Sequence, residues 1–127
     1  MRLLLDTNVI LWLAEQSPRL SNAAQVAIEA AGNTLLFSPV SLWELAIKVS
    51  LGRLRIDGGL VSFADDLERR RFAQLPLSSA HTARLAELPF VHRDPFDRML
   101  VAQAQVENLA LLTNDPRIAA YDVETIW

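Results

Sequence analysis

Apolar runs in this chain repeatedly end on a carboxylate. Leu3-Leu4-Leu5 leads into Asp6, and Leu109-Ala110-Leu111-Leu112-Thr113-Asn114 leads into Asp115. Glu44 interrupts the helix-like run Leu42-Trp43-Glu44-Leu45, and Asp94 and Asp97 open a further amphipathic segment. An unpaired carboxylate is costly to place in apolar surroundings. Acids delivered by the ends of buried segments therefore point to a site that requires negative charge, and holding a metal ion is the chemistry that requires it most directly.

Each acid also has a purely structural reading. Asp6 can cap a helix that begins at Thr7, and Asp115 stands before Pro116 in the same way. Asp94 before Pro95 is a strong N-cap, and Asp97 three residues later favours the helix dipole. Glu44 lies four residues before Lys48, the spacing of a surface ion pair worth about 0.3–0.5 kcal/mol. His81 and His92 have no partner at zinc-finger spacing, and no Ser-His-Asp set, Walker loop or dinucleotide loop is present. Trp12, Trp43 and Phe96 fall at helical spacing among aliphatics, where packing is their default role.

The elements that must position these groups alternate in type. Continuous apolar runs predict buried strands over residues 2–6, 34–38 and 109–113, with short strands over 72–75 and 121–127. Helices are predicted over 7–15, 22–30, 41–51, 60–71, 79–88 and 95–107, with a turn from Pro116. Pro39 is read as a break before the helix that starts at Ser41, and Gly52 as its end. Short buried strands alternating with amphipathic helices predict an α/β protein with a parallel sheet covered on both faces. In such a sheet ligands bind outside the carboxyl ends of strands. Asp6 and Asp115 both follow strands and so emerge on that one edge.

At 127 residues the chain is long enough for one domain with a real core and short for two. It contains no cysteine, which excludes disulfides and thiolate metal sites and fits a cytoplasmic location. No apolar run is long enough to span a bilayer, and Met1 to Leu5 reaches Asp6 too early for a signal peptide. A formal charge of -3 argues against bulk affinity for nucleic acid. Eleven of the twelve basic residues are arginines, in clusters at Arg53 and Arg55, Arg69 to Arg71, and Arg93 with Arg98. Converging on the acids, they could hold phosphates.

Several segments in order resemble the PIN domain family, and within it the VapC-type toxins of toxin–antitoxin pairs. They are Leu4-Leu5-Asp6-Thr7-Asn8, Ser41-Leu42-Trp43-Glu44-Leu45 with Lys48 and Gly52-Arg53-Leu54, the run from His92 through Asp94-Pro95-Phe96-Asp97-Arg98 to Leu100, Leu111-Leu112-Thr113-Asn114-Asp115, and Tyr121-Asp122-Val123. The resemblance implies a single PIN domain over residues 1–127, a three-layer α/β/α sandwich with a central parallel β-sheet. It implies an endoribonuclease dependent on Mg²⁺, with Mn²⁺ as substitute, an RNA substrate, a VapB-type antitoxin and a homodimer. The family's acidic quartet of catalytic and metal-binding residues falls on Asp6, Glu44, Asp97 and Asp115, and its supporting polar residues on Asn8, Ser41 and Thr113. Asp94 remains a helix cap. His92, Arg93 and Arg98 become candidates for gripping the RNA backbone.

Oxygen-only ligands suit hard cations such as Mg²⁺ or Mn²⁺. A phosphatase of the haloacid dehalogenase type needs a second acid where Asn8 stands, and a receiver domain needs a late lysine, whereas the only lysine is Lys48. A housekeeping RNA-processing nuclease and a catalytically silent module of the same fold remain as alternatives.

Overall fold

A computed structural model describes residues 1–127. Five strands form one parallel sheet: β1 (Arg2–Leu5), β2 (Thr34–Phe37), β3 (Ala73–Gln74), β4 (Ala110–Leu112) and β5 (Thr125–Ile126), in the order β3-β2-β1-β4-β5. Seven helices connect and cover them: α1 (Thr7–Ala14), α2 (Asn22–Glu29), α3 (Pro39–Ser50), α4 (Gly59–Arg69), α5 (Ser79–Glu87), α6 (Pro95–Glu107) and α7 (Pro116–Ala119).

The alternation of side chains along a strand sorts the three central strands into two faces. Leu3 and Leu5, Leu35 and Phe37, and Ala110 and Leu112 share one core with Val9 and Ile10 of α1, Ala24 of α2, Leu45 of α3, and Phe63 and Leu67 of α4. Leu4, Leu36 and Leu111 face the other way, onto Leu100, Val101 and Ala104 of α6 and Ile118 of α7. Both faces are dry, so the strands are apolar at every position rather than at alternate ones. Each fully buried Leu, Ile or Phe contributes about 1.5–3 kcal/mol, and the sum holds the three layers together.

Local differences from the sequence expectations have physical causes. Pro39 begins α3 instead of breaking the chain, with Ser38 as N-cap: the missing proline N–H is one that a first helical turn leaves unpaired in any case. The terminal strand shrinks to Thr125–Ile126, and β3 has only Ala73 and Gln74, both exposed at the sheet edge. Helix α4 stops at Arg69, and Arg71 turns the chain with a φ of 68°. Non-glycine residues enter that region rarely, and nothing in the sequence marks this one. Gly52, by contrast, has a φ of 70° just past α3, as its type predicts.

Candidate active site

The chain runs outward from β1 through β2 to β3, then returns to place β4 on the other side of β1. This reversal leaves a crevice beyond the carboxyl ends of β1 and β4. Asp6 follows β1 directly, and Thr113 follows β4. The Thr113 hydroxyl donates to Asp6 Oδ2 at 2.8 Å, and the Thr7 amide donates to Asp6 Oδ1 at 2.7 Å. Asp6 thus caps α1 and also faces the crevice.

Three other acids approach the same sheet end, two from helix starts and one from a helix interior. Asp97 lies in the first turn of α6, which Asp94 caps by accepting from the Phe96 and Asp97 amides. Asp115 caps α7 through the Arg117 amide. Glu44 comes from the second turn of α3. Burial pushes the Asp6 carboxyl up to about 7, opposed by its Thr113 hydrogen bond and aided by the charges of Asp97 and Glu44. Burial likewise pushes Asp97 up to about 6, opposed by His92 and aided by Asp94, Glu44 and Asp115. The four acids therefore act on one another electrostatically.

They do not close into a cage, since no three of the acidic or histidine side chains are grouped tightly enough to hold a cation. Mutual repulsion explains this, together with a private partner for each acid. Asp97 Oδ2 meets His92 Nε2 at 3.2 Å, and Glu44 Oε2 lies 3.4 Å from Lys48 Nζ. Asp115 accepts from Arg117 Nε at 3.1 Å and Nη2 at 2.8 Å, and the Arg117 side chain holds its carboxyl below the usual range. Glu44 Oε1 is buried with no hydrogen-bond partner. Such an orphan costs about 1–3 kcal/mol or more. Together with the raised Asp6 and Asp97 carboxyls it describes a site short of positive charge, and its oxygen-only donors fit a hard divalent cation.

The supporting residues divide. Ser41 is fully buried and accepts from the Thr7 hydroxyl at 2.9 Å, tying α3 to α1. Thr113 holds Asp6 and also accepts from the Asp115 amide at 3.1 Å. Asn8 is exposed in α1 and its side chain makes no hydrogen bond within the protein. Thr7 and Arg117 contribute to the site although their types alone gave no signal.

The basic residues do not converge as the sequence allowed. Arg98 is buried and cannot grip RNA. It donates to the Pro89 carbonyl at 2.8 Å and the Tyr121 hydroxyl at 3.2 Å, with its guanidinium 4.3 Å from the Phe90 ring centre. His92 is held between Asp97 and Tyr121 and has no free nitrogen for a phosphate. Arg69 to Arg71 lead into the amino end of β3, the opposite edge of the sheet from the acids. Arg93, exposed just before α6, is the candidate that remains available.

A three-layer α/β sandwich with an acidic crevice at its strand-order switch defines the class of this protein. The PIN domain family pattern matches residues 3–124, and the chain belongs to the PIN domain family. It is 33% identical over 119 residues to Ribonuclease VapC22 of Mycobacterium tuberculosis (strain ATCC 25618 / H37Rv), covering 93% of this chain and 90% of that protein. Its fold is similar to a chain of VapBC2 from Rickettsia felis bound to a promoter DNA fragment, with a TM-score of 0.75, 21% identity and full coverage of both chains. It is also similar to VapBC-1 from nontypeable Haemophilus influenzae, with a TM-score of 0.69, 20% identity and coverage of 98% and 96%. No helix of the chain is long and apolar enough to cross a membrane.

Proposed function

We propose that the protein, a single PIN domain over residues 1–127, is a metal-dependent endoribonuclease and the toxin of a VapBC-type pair. The observation that carries this reading is the orphaned Glu44 Oε1 together with two carboxyls raised by burial, a set of oxygen donors suited to a hard divalent cation. Asp6, Glu44 and Asp97 would hold Mg²⁺, or Mn²⁺ in its place, and Asp115 would join them on leaving Arg117. The cation, when bound, lowers the pKa of an attacking water and offsets charge on the phosphate.

The chain's own residues supply orientation and access. Thr113 and Thr7 fix the Asp6 carboxylate, and Ser41 holds Thr7 in place. Arg93 at the rim offers a phosphate contact. Hydrolysis leaves 5′-phosphate and 3′-hydroxyl ends.

The antitoxin reading draws support from the groove between α1 and the start of α4. Leu11, Ala14, Ile56 and Phe63 line it, and Glu15, Asp66 and the Arg55–Asp57 ion pair rim it, a surface suited to an apolar helix with polar flanks. Trp12 packs on Trp127, with ring centres 5.7 Å apart. A homodimer draws support from Trp43, Ile47 and Leu51, an exposed stripe with four-residue spacing along α3 and its C-cap. The test is cleavage of RNA by the purified protein with Mg²⁺ or Mn²⁺ against EDTA, with end groups sequenced. Metal-independent cleavage, or none with either cation, would overturn the reading.

A further inference from the structure

We propose that Arg98, Tyr121 and His92 form a one-way chain of hydrogen-bond donors ending on Asp97, which makes His92 and Tyr121 positioning residues for that carboxylate. Arg98 lies one residue beyond Asp97, His92 five before it, and Tyr121 arrives from the connection between α7 and β5. Tyr121 is buried, so its hydroxyl must find partners within the protein.

The direction of the chain follows from what each group can do. A guanidinium only donates, so the contact from Arg98 Nη1 to the Tyr121 oxygen at 3.2 Å occupies one of the two lone pairs. The His92 amide donates to the same oxygen at 3.4 Å and occupies the other. The Tyr121 hydrogen must therefore leave the oxygen as a donor, and its one acceptor is His92 Nδ1 at 2.9 Å. An accepting Nδ1 carries no proton, which puts the proton of the neutral ring on Nε2. That nitrogen lies 3.2 Å from Asp97 Oδ2 and donates to it.

The opposite direction fails on the same contacts. A protonated Nδ1 would aim a third donor at the Tyr121 oxygen and leave its hydroxyl hydrogen buried without an acceptor. Arg98 is itself fixed, with the Pro89 carbonyl at 2.8 Å and the Phe90 ring against its guanidinium, so the donor at the head of the chain cannot turn away. The consequence at the far end is that Asp97 Oδ2 is held while Oδ1 has no hydrogen-bond partner within the protein. That division suits a carboxylate that must offer one oxygen in a fixed direction, as outer partners of metal ligands do.

The proposal rests on the metal reading of Asp97 only for its consequence; the direction of the chain rests on the contacts. Two-bond ¹H–¹⁵N correlation spectra of the metal-free protein at neutral pH, assigned with His92→Gln, read the His92 ring directly. The expected pattern is a neutral ring protonated on Nε2. Tyr121→Phe should give tautomer averaging at His92 and weaken Mn²⁺ binding, measured by calorimetry, by on the order of tenfold. In RNA cleavage it should lower kcat with little change in KM. His92→Gln, whose amide still donates, should retain more Mn²⁺ affinity than His92→Ala. A ring protonated on Nδ1, or a Tyr121→Phe protein with unchanged tautomer and Mn²⁺ affinity, overturns the proposal. Should the wild type bind Mn²⁺ and show the expected ring state yet cleave no RNA, the nuclease reading fails and the donor chain stands.

Discussion

Thr113 Oγ1 donates to Asp6 Oδ2 at 2.8 Å, although 107 residues separate them in the chain. The bond closes the carboxyl ends of β1 and β4 across the switch in strand order and holds the most deeply buried acid of the site. Thr113→Val keeps the shape and removes the donor. It should cost about 1–3 kcal/mol in urea unfolding, the range for stranding a buried polar group. The hydrogen bond also lowers the Asp6 carboxyl, so its loss should raise that carboxyl further. Mn²⁺ titration calorimetry should show weaker affinity at pH 7 than the wild type has, with part of the loss recovered at higher pH.

Asp6→Asn separates stability from activity. The amide keeps Oδ1 for the Thr7 N–H, and the Thr113 hydroxyl can rotate to accept from the new NH₂ group. The buried charge is gone, so the metal-free variant should melt higher than the wild type at pH 8. Cleavage should nevertheless be abolished. A variant that cleaves RNA, or that melts lower at pH 8, would contradict this account of the site.

The raised carboxyls set the pH dependence of the metal-free protein. Asp6 moves from 3.8 to about 7 and Asp97 from 3.8 to about 6, so the folded state binds protons that the unfolded chain has released. Their contribution is complete below the unfolded value and is lost as pH rises through the folded values. Stability in EDTA should therefore fall between about pH 4 and pH 7. Asp115 has the opposite sign, and its contribution is lost only as pH falls below the ordinary carboxylate range. Mg²⁺ should raise the melting temperature at pH 8 and hardly at all at pH 5, where protons occupy the same oxygens. Equal shifts at both values would argue for binding elsewhere.

The layers and the principal acids were legible in the sequence because both rest on strong local signals. Continuous apolar runs announce strands buried on both faces, and Asp-Pro pairs announce helix starts. Capping does not compete with the proposed metal role of Asp6, which gives Oδ1 to the Thr7 amide and Oδ2 to Thr113. The arginines were illegible, since residue type does not say which way a side chain turns. Arg98 folds inward over the Pro89 carbonyl, and Arg69 to Arg71 fall at the far edge of the sheet. The sequence pattern makes Tyr121 the start of a strand, because nothing local shows that its hydroxyl meets residues 23 and more positions earlier in the chain.

Arg98 and Arg93 should separate cleanly on substitution. Arg98→Lys loses the planar fork and cannot serve both the Pro89 carbonyl and Tyr121, so it should destabilise the fold by about 2–4 kcal/mol. Arg93→Ala should leave the melting temperature unchanged while raising KM for RNA and flattening its salt dependence. Denaturant unfolding and cleavage kinetics at two salt concentrations distinguish them, and an unfolded Arg93→Ala protein would remove that residue from the rim.

Arg117 bears on how far Asp115 takes part. Both Asp115 oxygens accept from its guanidinium, one from Nε and the other from Nη2, so the carboxylate cannot turn to a cation without giving up that pair. Arg117→Ala removes the competitor and keeps the backbone amide that Asp115 caps. Its Mn²⁺ affinity should therefore rise severalfold over the wild type. Asp115→Asn should abolish that gain when combined with Arg117→Ala, since the two changes act on one carboxylate. A double variant that retains the tighter binding would show that Arg117 acts through the general field of the site rather than by holding Asp115 away from the metal.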